Sequence, residues 1–296
     1  INYDTYIKDT FQSLTHNLVN DGYAGNYAVH PATKTAWSRD TAYPAFGFEE
    51  FFVKSDFTDP VYIRNFVSDR SDFECLISKY EETRETSDEP FYIFNVTMQN
   101  HGGYSVSQGF VETPIEITNE GQYAEDAQQY INLIRSTDDA FRELTAYFEK
   151  VNEPTVILMF GDHQPSLSTE FYESLFGKKT DDYTLEDTKK KYTVPYIIWA
   201  NYDIEEARDN MSANYLSAYL MKLTGGKMSG YQKYLKDLYE KVPMITANAY
   251  FGSYGVLHEL DEESEYSDDI LEYQIIQYNN MFDTKNRVES FFGLAG

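Results

Sequence analysis

Three short runs of nearly unbroken apolar, β-favouring residues limit what this chain can fold into: residues 91–97 (FYIFNVT), 155–160 (TVILMF) and 194–200 (VPYIIWA). A strand with one face in water alternates apolar and polar residues, whereas a strand covered on both faces does not. Between the first two runs, residues 123–151 place Tyr130, Leu133, Ile134, Ala140, Phe141, Leu144 and Phe148 on one helical face. Buried strands alternating with helices predict an α/β fold whose central sheet is mostly parallel and carries helices on both faces. In such sheets ligands bind beyond the carboxyl ends of the strands.

The flanking sequence fills in this frame. Helical spacing of Tyr6, Phe11, Leu14 and Leu18 predicts a helix over 5–20, stopped at Asp21-Gly22 and followed by a strand over 23–30. A polar loop leads to a short helix near 41–46, ended by Gly47. Pro60 suits a first helical turn, and Val61, Phe66, Phe73, Leu76, Ile77 and Tyr80 continue the helical period to about Arg84. Helices are expected near 213–223 and 230–241. They precede an apolar run at 244–251, an acidic segment at 259–269 and a final helix near 268–282. Seven of the eleven residues from 259 to 269 are acidic, which predicts a solvated loop.

Charge narrows the function. With 49 acidic and 24 basic residues in 296, the net charge is −25, so the chain cannot offer the broad basic face that nucleic acid requires. A 42% hydrophobic content that includes 27 Tyr and 20 Phe is enough to build a core. One cysteine, Cys75, excludes an internal disulfide framework and reads as a small core residue. No run approaches the length of a membrane span.

Chemically able residues gather where the apolar runs stop. The run ending at Phe160 is followed by Gly161-Asp162-His163, in which glycine permits a tight exit and one carboxylate and one imidazole project together, a pairing suited to a divalent cation. The run ending at Thr97 leads to Met98-Gln-Asn-His101. The strand at 23–30 leads to His30, Lys34, Trp37 and Arg39, where Arg39 and Lys34 suit a phosphate or sulfate and Trp37 offers a flat apolar face. Three of the five histidines therefore stand at predicted strand ends. His16 and His258 read as structural.

These stretches together resemble the lipoteichoic acid synthase-like phosphoglycerol transferases, in the sulfatase branch of the alkaline phosphatase superfamily. The likeness runs over about residues 5–225, through Phe11-Gln-Ser-Leu14, Asp21-Gly-Tyr23, the H-x6-W-x-R spacing of His30, Trp37 and Arg39, Thr97-Met-Gln-Asn-His101 and Val156 to His163. The resemblance implies an alkaline-phosphatase/sulfatase-like sandwich, with a catalytic domain over 1–243 and a C-terminal subdomain over 244–296 that holds the acidic loop and final helix. It implies that Asp162 and His163 are two ligands of one divalent metal, Mn²⁺ or Mg²⁺, and that His30, Trp37, Arg39 and His101 surround the phosphoglycerol group, with His101 as the catalytic contact to the phosphoryl or leaving oxygen. Lys34, by its charge and its place in the same loop, is expected to join them in binding substrate. The reaction implied is attack by a metal-activated Thr on an anionic lipid headgroup, with transfer of glycerophosphate to an acceptor hydroxyl, at the outer face of a bacterial membrane or in a secreted protein.

Two departures accompany the resemblance. Ala32 stands where such transferases often carry an acid facing the glycerol hydroxyls, which keeps hydrolysis of a sulfate or phosphate ester as an alternative. The family's Thr nucleophile and acidic metal ligand have no counterpart here, so the chain reads as a fragment with half a metal site, unable to turn over by itself. A third alternative is a non-catalytic module that binds an anionic polymer through Arg39, Lys34 and Trp37.

Overall fold

A computed structural model describes residues 7, 11–104, 114–118, 125–283 and 285–294. Its central feature is a three-stranded parallel sheet in the order β2-β1-β5, with β1 Gly25–His30, β2 Glu50–Val53 and β5 Phe91–Asn95. In register, Tyr27 stands between Glu50 and Ile93, and Val29 between Phe52 and Asn95. The middle strand β1 is buried along almost its whole length, which fixes the end of the strand, His30, inside the protein.

The long helix α3 Asp69–Arg84 lies against this sheet, with Tyr80 on Phe91 and Lys79 over Phe52, and a second long helix, α4 Glu125–Phe148, packs on α3. Phe73 of α3 packs with Ala140, Leu144 and Phe148 of α4, and Ile157, Met159 and Trp199 close the same core. The shorter helices α1 Leu14–Asn20 and α2 Arg39–Ala45 are placed by local signals. The Ser13 side chain accepts from the His16 N–H to start α1, and Gly47 at φ 86° follows α2 in a backbone conformation that suits glycine. The helix expected over 5–20 starts later than its apolar spacing suggests: residues 7 and 11–13 are not helical and Ser13 caps a helix that begins at Leu14, while residues 5, 6 and 8–10 lie outside the described residues.

Three expectations are corrected. The helical period read from Pro60 does not start a helix there. Residues 60–68 form a small antiparallel hairpin, β3 Tyr62–Ile63 with β4 Phe66–Val67, and α3 begins after Ser68, whose hydroxyl accepts the Ser71 N–H. The apolar runs at 155–160 and 194–200 become β6 Val156–Phe160 and β7 Tyr196–Ala200, which pair antiparallel with each other. Apolar content reports burial and carries no information about strand direction, so a parallel or antiparallel partner reads alike in the sequence. Nor are these strands covered on both faces, since Phe160 is 42% and Ile197 50% exposed. The parallel sheet is correspondingly small.

Between β6 and β7 the chain makes two helices the sequence reading did not mark, α5 Thr169–Phe176 and α6 Leu185–Tyr192, each started by a hydroxyl cap, Ser168 and Thr184. A second core forms from α7 Leu216–Thr224, α8 Gly230–Lys241 and α9 Ser267–Met281 around a three-stranded antiparallel sheet, β8 Met244–Ile245, β9 Ala249–Phe251 and β10 Leu257–Glu259. Tyr215, Leu235 and Val242 share this core with Tyr250, Ile270 and Tyr273, so it draws on both sides of residue 243. The last turn, α10 Glu289–Phe292, returns to α8, and Asn17 of α1 both donates to Gln232 and accepts from the Leu294 N–H. No described helix is long and apolar enough to cross a membrane.

Candidate active site

His30, at the carboxyl end of β1, has no exposed surface. Its Nδ1 lies 2.8 Å from the Val96 carbonyl, which only accepts, so Nδ1 carries the proton. Nε2 is then an acceptor, and it receives the Nη1–H of Arg39. Burial holds the imidazole's pKa down, from its ordinary 6.5 to about 4, with the neighbouring Arg39 and His101 pushing the same way and the Val96 carbonyl opposing. A neutral histidine with both nitrogens engaged serves as a fixed seat for the guanidinium.

The chain reaches Arg39 through Trp37 and Ser38, both left-handed at φ 53° and φ 55°. Two consecutive non-glycine residues in that region carry strain, which the surrounding structure must hold in place. The turn leaves Trp37 50% exposed, its ring 5.4 Å from His30 and 5.8 Å from His101. The Arg39 guanidinium lies 4.8 Å from the Trp37 ring centroid. His101 is exposed, and its ring is flanked by Trp37 and, at 5.5 Å, by Phe66. Lys34 lies on the exposed turn ahead of Trp37, and no contact joins its side chain to this cluster among the described residues.

The loop that carries His101 is held from beneath by buried polar groups. Gln99 accepts the Asp69 N–H and donates to the Leu133 carbonyl. Thr137 donates to Asp69 Oδ2 at 2.6 Å and accepts from Asn100 Nδ2 at 2.8 Å. Asp69 is fully buried, and burial lifts its carboxyl to about 6 against the lowering pull of these donors. Its neighbour Asp72 is also fully buried, shifted well upward by burial and by Asp69, and receives one hydrogen bond, from Asn95. Sequence reasoning did not mark Asp69, Thr137 or Phe66 for the site. The polar first turn of α3 was the signal for Asp69, and the helix expected from Pro60 put Phe66 on a core face.

At the end of β6, Gly161 lets the chain pass close to Val194: a Cβ there would stand 3.0 Å from Val194 Cβ, so that side chain would have to give by a few tenths of an ångström. The Asp162 and His163 side chains are 78% and 71% exposed, with Oδ2 and Nε2 3.4 Å apart. His163 Nδ1 lies 2.9 Å from the Gln164 carbonyl, which places the proton on Nδ1 and leaves Nε2 free to bind a cation. The separation suits two adjacent ligands of one ion, each at about 2.1 Å. The donor chemistry thus fits a divalent metal with two of its ligands. Among the described residues no group of three or more His, Cys, Asp or Glu is arranged to hold one. Further along the same loop, Leu167 lies against the cluster of Ile63, Tyr104 and Leu133. Burial raises the Tyr104 hydroxyl to about 12, with a small contribution in the same direction from Asp162.

The carboxyl end of β1 and the loop after β5 bring His30, Trp37, Arg39 and His101 together, while the Asp162-His163 pair stands at the end of β6 in the separate antiparallel sheet. The chain belongs to the sulfatase family, whose model matches residues 1–226. Within the alkaline phosphatase superfamily its fold is of the lipoteichoic acid synthase and phosphoglycerol transferase type. It is 25% identical over 303 residues to a Rhizobium meliloti protein described as a "Putative cyclic beta-1,2-glucan modification protein", covering 99% of this chain and 46% of that one. It is 30% identical over 165 residues to a lipoteichoic acid synthase of Staphylococcus saprophyticus, covering 52% of this chain and 23% of that one. The chain therefore spans less than half the length of these relatives. Streptococcus pyogenes phosphoglycerol transferase GacH, solved with sn-glycerol-1-phosphate, has the same fold at a TM-score of 0.72 and 22% identity, covering 100% of this chain and 71% of that one.

Proposed function

We propose that this chain forms the substrate-binding part of a metal-dependent phosphoglycerol transferase working outside a bacterial cytoplasmic membrane. In this reading it moves glycerophosphate from an anionic lipid headgroup to a glycan or polymer hydroxyl. The observation that carries this reading is the seating of Arg39 between neutral, buried His30 and exposed Trp37, beside His101. On a chain of net charge −25, such a fixed cation is a local receptor for an anion. Family membership makes a phosphate or sulfate ester the fitting anion, and the relatives named above supply the transferase and glycan chemistry by analogy.

Arg39's planar fork donates to non-bridging phosphoryl oxygens, and His30 keeps that fork from turning away. Trp37 covers one side of the bound group and excludes water. His101, held between Trp37 and Phe66, hydrogen-bonds the phosphoryl or leaving oxygen as charge develops there. Asp162 and His163 would hold a Mn²⁺ or Mg²⁺ ion, which supplies Lewis-acid charge at the phosphoryl group. None of the described residues is assigned as the nucleophile.

The test is the full-length protein with Mn²⁺ and phosphatidylglycerol. Diacylglycerol release that disappears in Arg39→Ala supports the reading. Release of sulfate from an aryl ester in its place favours hydrolysis, for which Ala32, with no polar side chain to meet glycerol, is the motivating feature. Ligand binding with no turnover at all points to a binding module.

A further inference from the structure

We infer that Arg64 is a positioning residue of this site, acting through His101. The inference rests on the proposed reading of His101 as a group that meets substrate. Arg64 lies in the turn of the β3–β4 hairpin at φ 56°, a left-handed conformation for a non-glycine residue. That turn sends its guanidinium across to the loop after β5, where three carbonyls converge on it. Nη2 donates to Gln99 O at 2.6 Å and to His101 O at 2.9 Å, and Nη1 donates to Gly103 O at 3.1 Å. Gly103, at φ 95°, supplies the backbone conformation that turns the last of these carbonyls inward.

The same guanidinium lies 5.2 Å from the Phe66 ring and 5.4 Å from the Tyr104 ring. Phe66 in turn touches His101 at 5.5 Å. Arg64 therefore sets both the backbone beneath His101 and one of the two rings that flank its imidazole.

This role is separable from holding the fold together. The first half of the loop is already anchored from below, with Gln99 and Asn100 bonded to Asp69, Leu133 and Thr137. What Arg64 adds is the part from His101 to Gly103, which lies at the surface. A planar fork matched to three acceptors does what a lysine's single ammonium cannot.

The test has two arms. In the first, the His101 ring protons are followed by NMR in this chain, with His163 and His258 as internal controls. Stacking against Trp37 and Phe66 shifts the His101 signals by ring currents. Arg64→Gln and Arg64→Lys are both expected to move them toward exposed-histidine values while the controls stay put, and lysine keeps the charge if glutamine costs the fold. His101 signals unchanged in both folded variants overturn the inference, as does full restoration by lysine.

In the second arm, the full-length Arg64→Lys enzyme is expected to lose about ten- to a hundred-fold in kcat with a smaller change in KM, the scale expected when a reacting group is misplaced. A moved His101 signal with normal turnover overturns the reading of His101 as a substrate contact and leaves Arg64 a purely structural clamp.

Discussion

Arg39 is aimed by a histidine that never meets solvent: its Nη1 donates to Nε2 of His30, whose Nδ1–H is committed to the Val96 carbonyl. The pair converts a flexible side chain into a fixed anion receptor. Replacing the fork by a point charge tests this. Arg39→Lys is expected to weaken binding of glycerol phosphate by roughly ten-fold or more, the scale of one charged hydrogen bond. Calorimetric titration checks it, and an unchanged affinity would remove Arg39 from the binding site.

The same pair makes stability depend on acid. His30 has its pKa lowered from 6.5 to about 4 by burial, so between these values the unfolded chain takes up a proton that the folded chain refuses. Its contribution is fully present above pH 6.5 and is lost as pH falls toward 4, by about 3 kcal/mol in all. Denaturant midpoints at pH 7 and pH 4.5 should fall further apart in the wild type than in His30→Gln. Equal differences would show that His30 is not held neutral.

Asp162 and His163 are exposed enough to be replaced without cost to the fold. Asp162→Asn and His163→Ala should change unfolding free energy by less than about 0.5 kcal/mol. In the full-length protein each should abolish turnover at limiting Mn²⁺. Normal activity under that limitation would take these residues out of the metal site.

Asp72 is buried with a single donor, Asn95, and lies next to Asp69, so ionising it is costly in the folded state. Asp72→Asn should therefore stabilise the chain at pH 7 by about 1 kcal/mol or more. Because the carboxyl's pKa is raised, the burden is absent below the ordinary carboxyl range and grows as pH rises, so the gain should shrink at pH 4. Chemical denaturation at the two pH values measures it, and destabilisation by asparagine at pH 7 would contradict the argument.

Thr137 joins Asp69 and Asn100 across 68 and 37 residues of sequence. Thr137→Val keeps the shape and removes these two bonds together with the one the hydroxyl accepts from Gln99 Nε2, weakening the buried polar network. A loss of about 1–3 kcal/mol is expected in thermal or denaturant unfolding, together with faster amide exchange at residues 99–101.

Much of the local structure is legible because its causes are local. The stop after α2 is read from Gly47, strands β5, β6 and β7 from their apolar runs, and β1 from its place after the stop at Asp21-Gly22, each to within a few residues. The grouping of His30, Trp37, Arg39 and His101 is equally legible as a motif, and the structure brings these four side chains together. Lys34 shared the motif but not the cluster. The hairpin at 62–67 was hidden because Val61, Phe66 and Phe73 mimic a helical period. Ser68's cap on α3 and the turn at Arg64 override it.

The sequence by itself therefore determined which chemical groups stand at strand ends and where the chain is apolar enough to be buried, since both depend on neighbours only a few residues apart. The tertiary structure alone decided that β7 runs antiparallel to β6, that His30 lies under Arg39 as a neutral acceptor, and that Arg64 grips carbonyls 35 to 39 residues away. The physical reason is common to all three. Apolar periodicity encodes burial, while the direction of a hydrogen bond and the ionisation of a side chain are set by groups the folded chain brings from elsewhere.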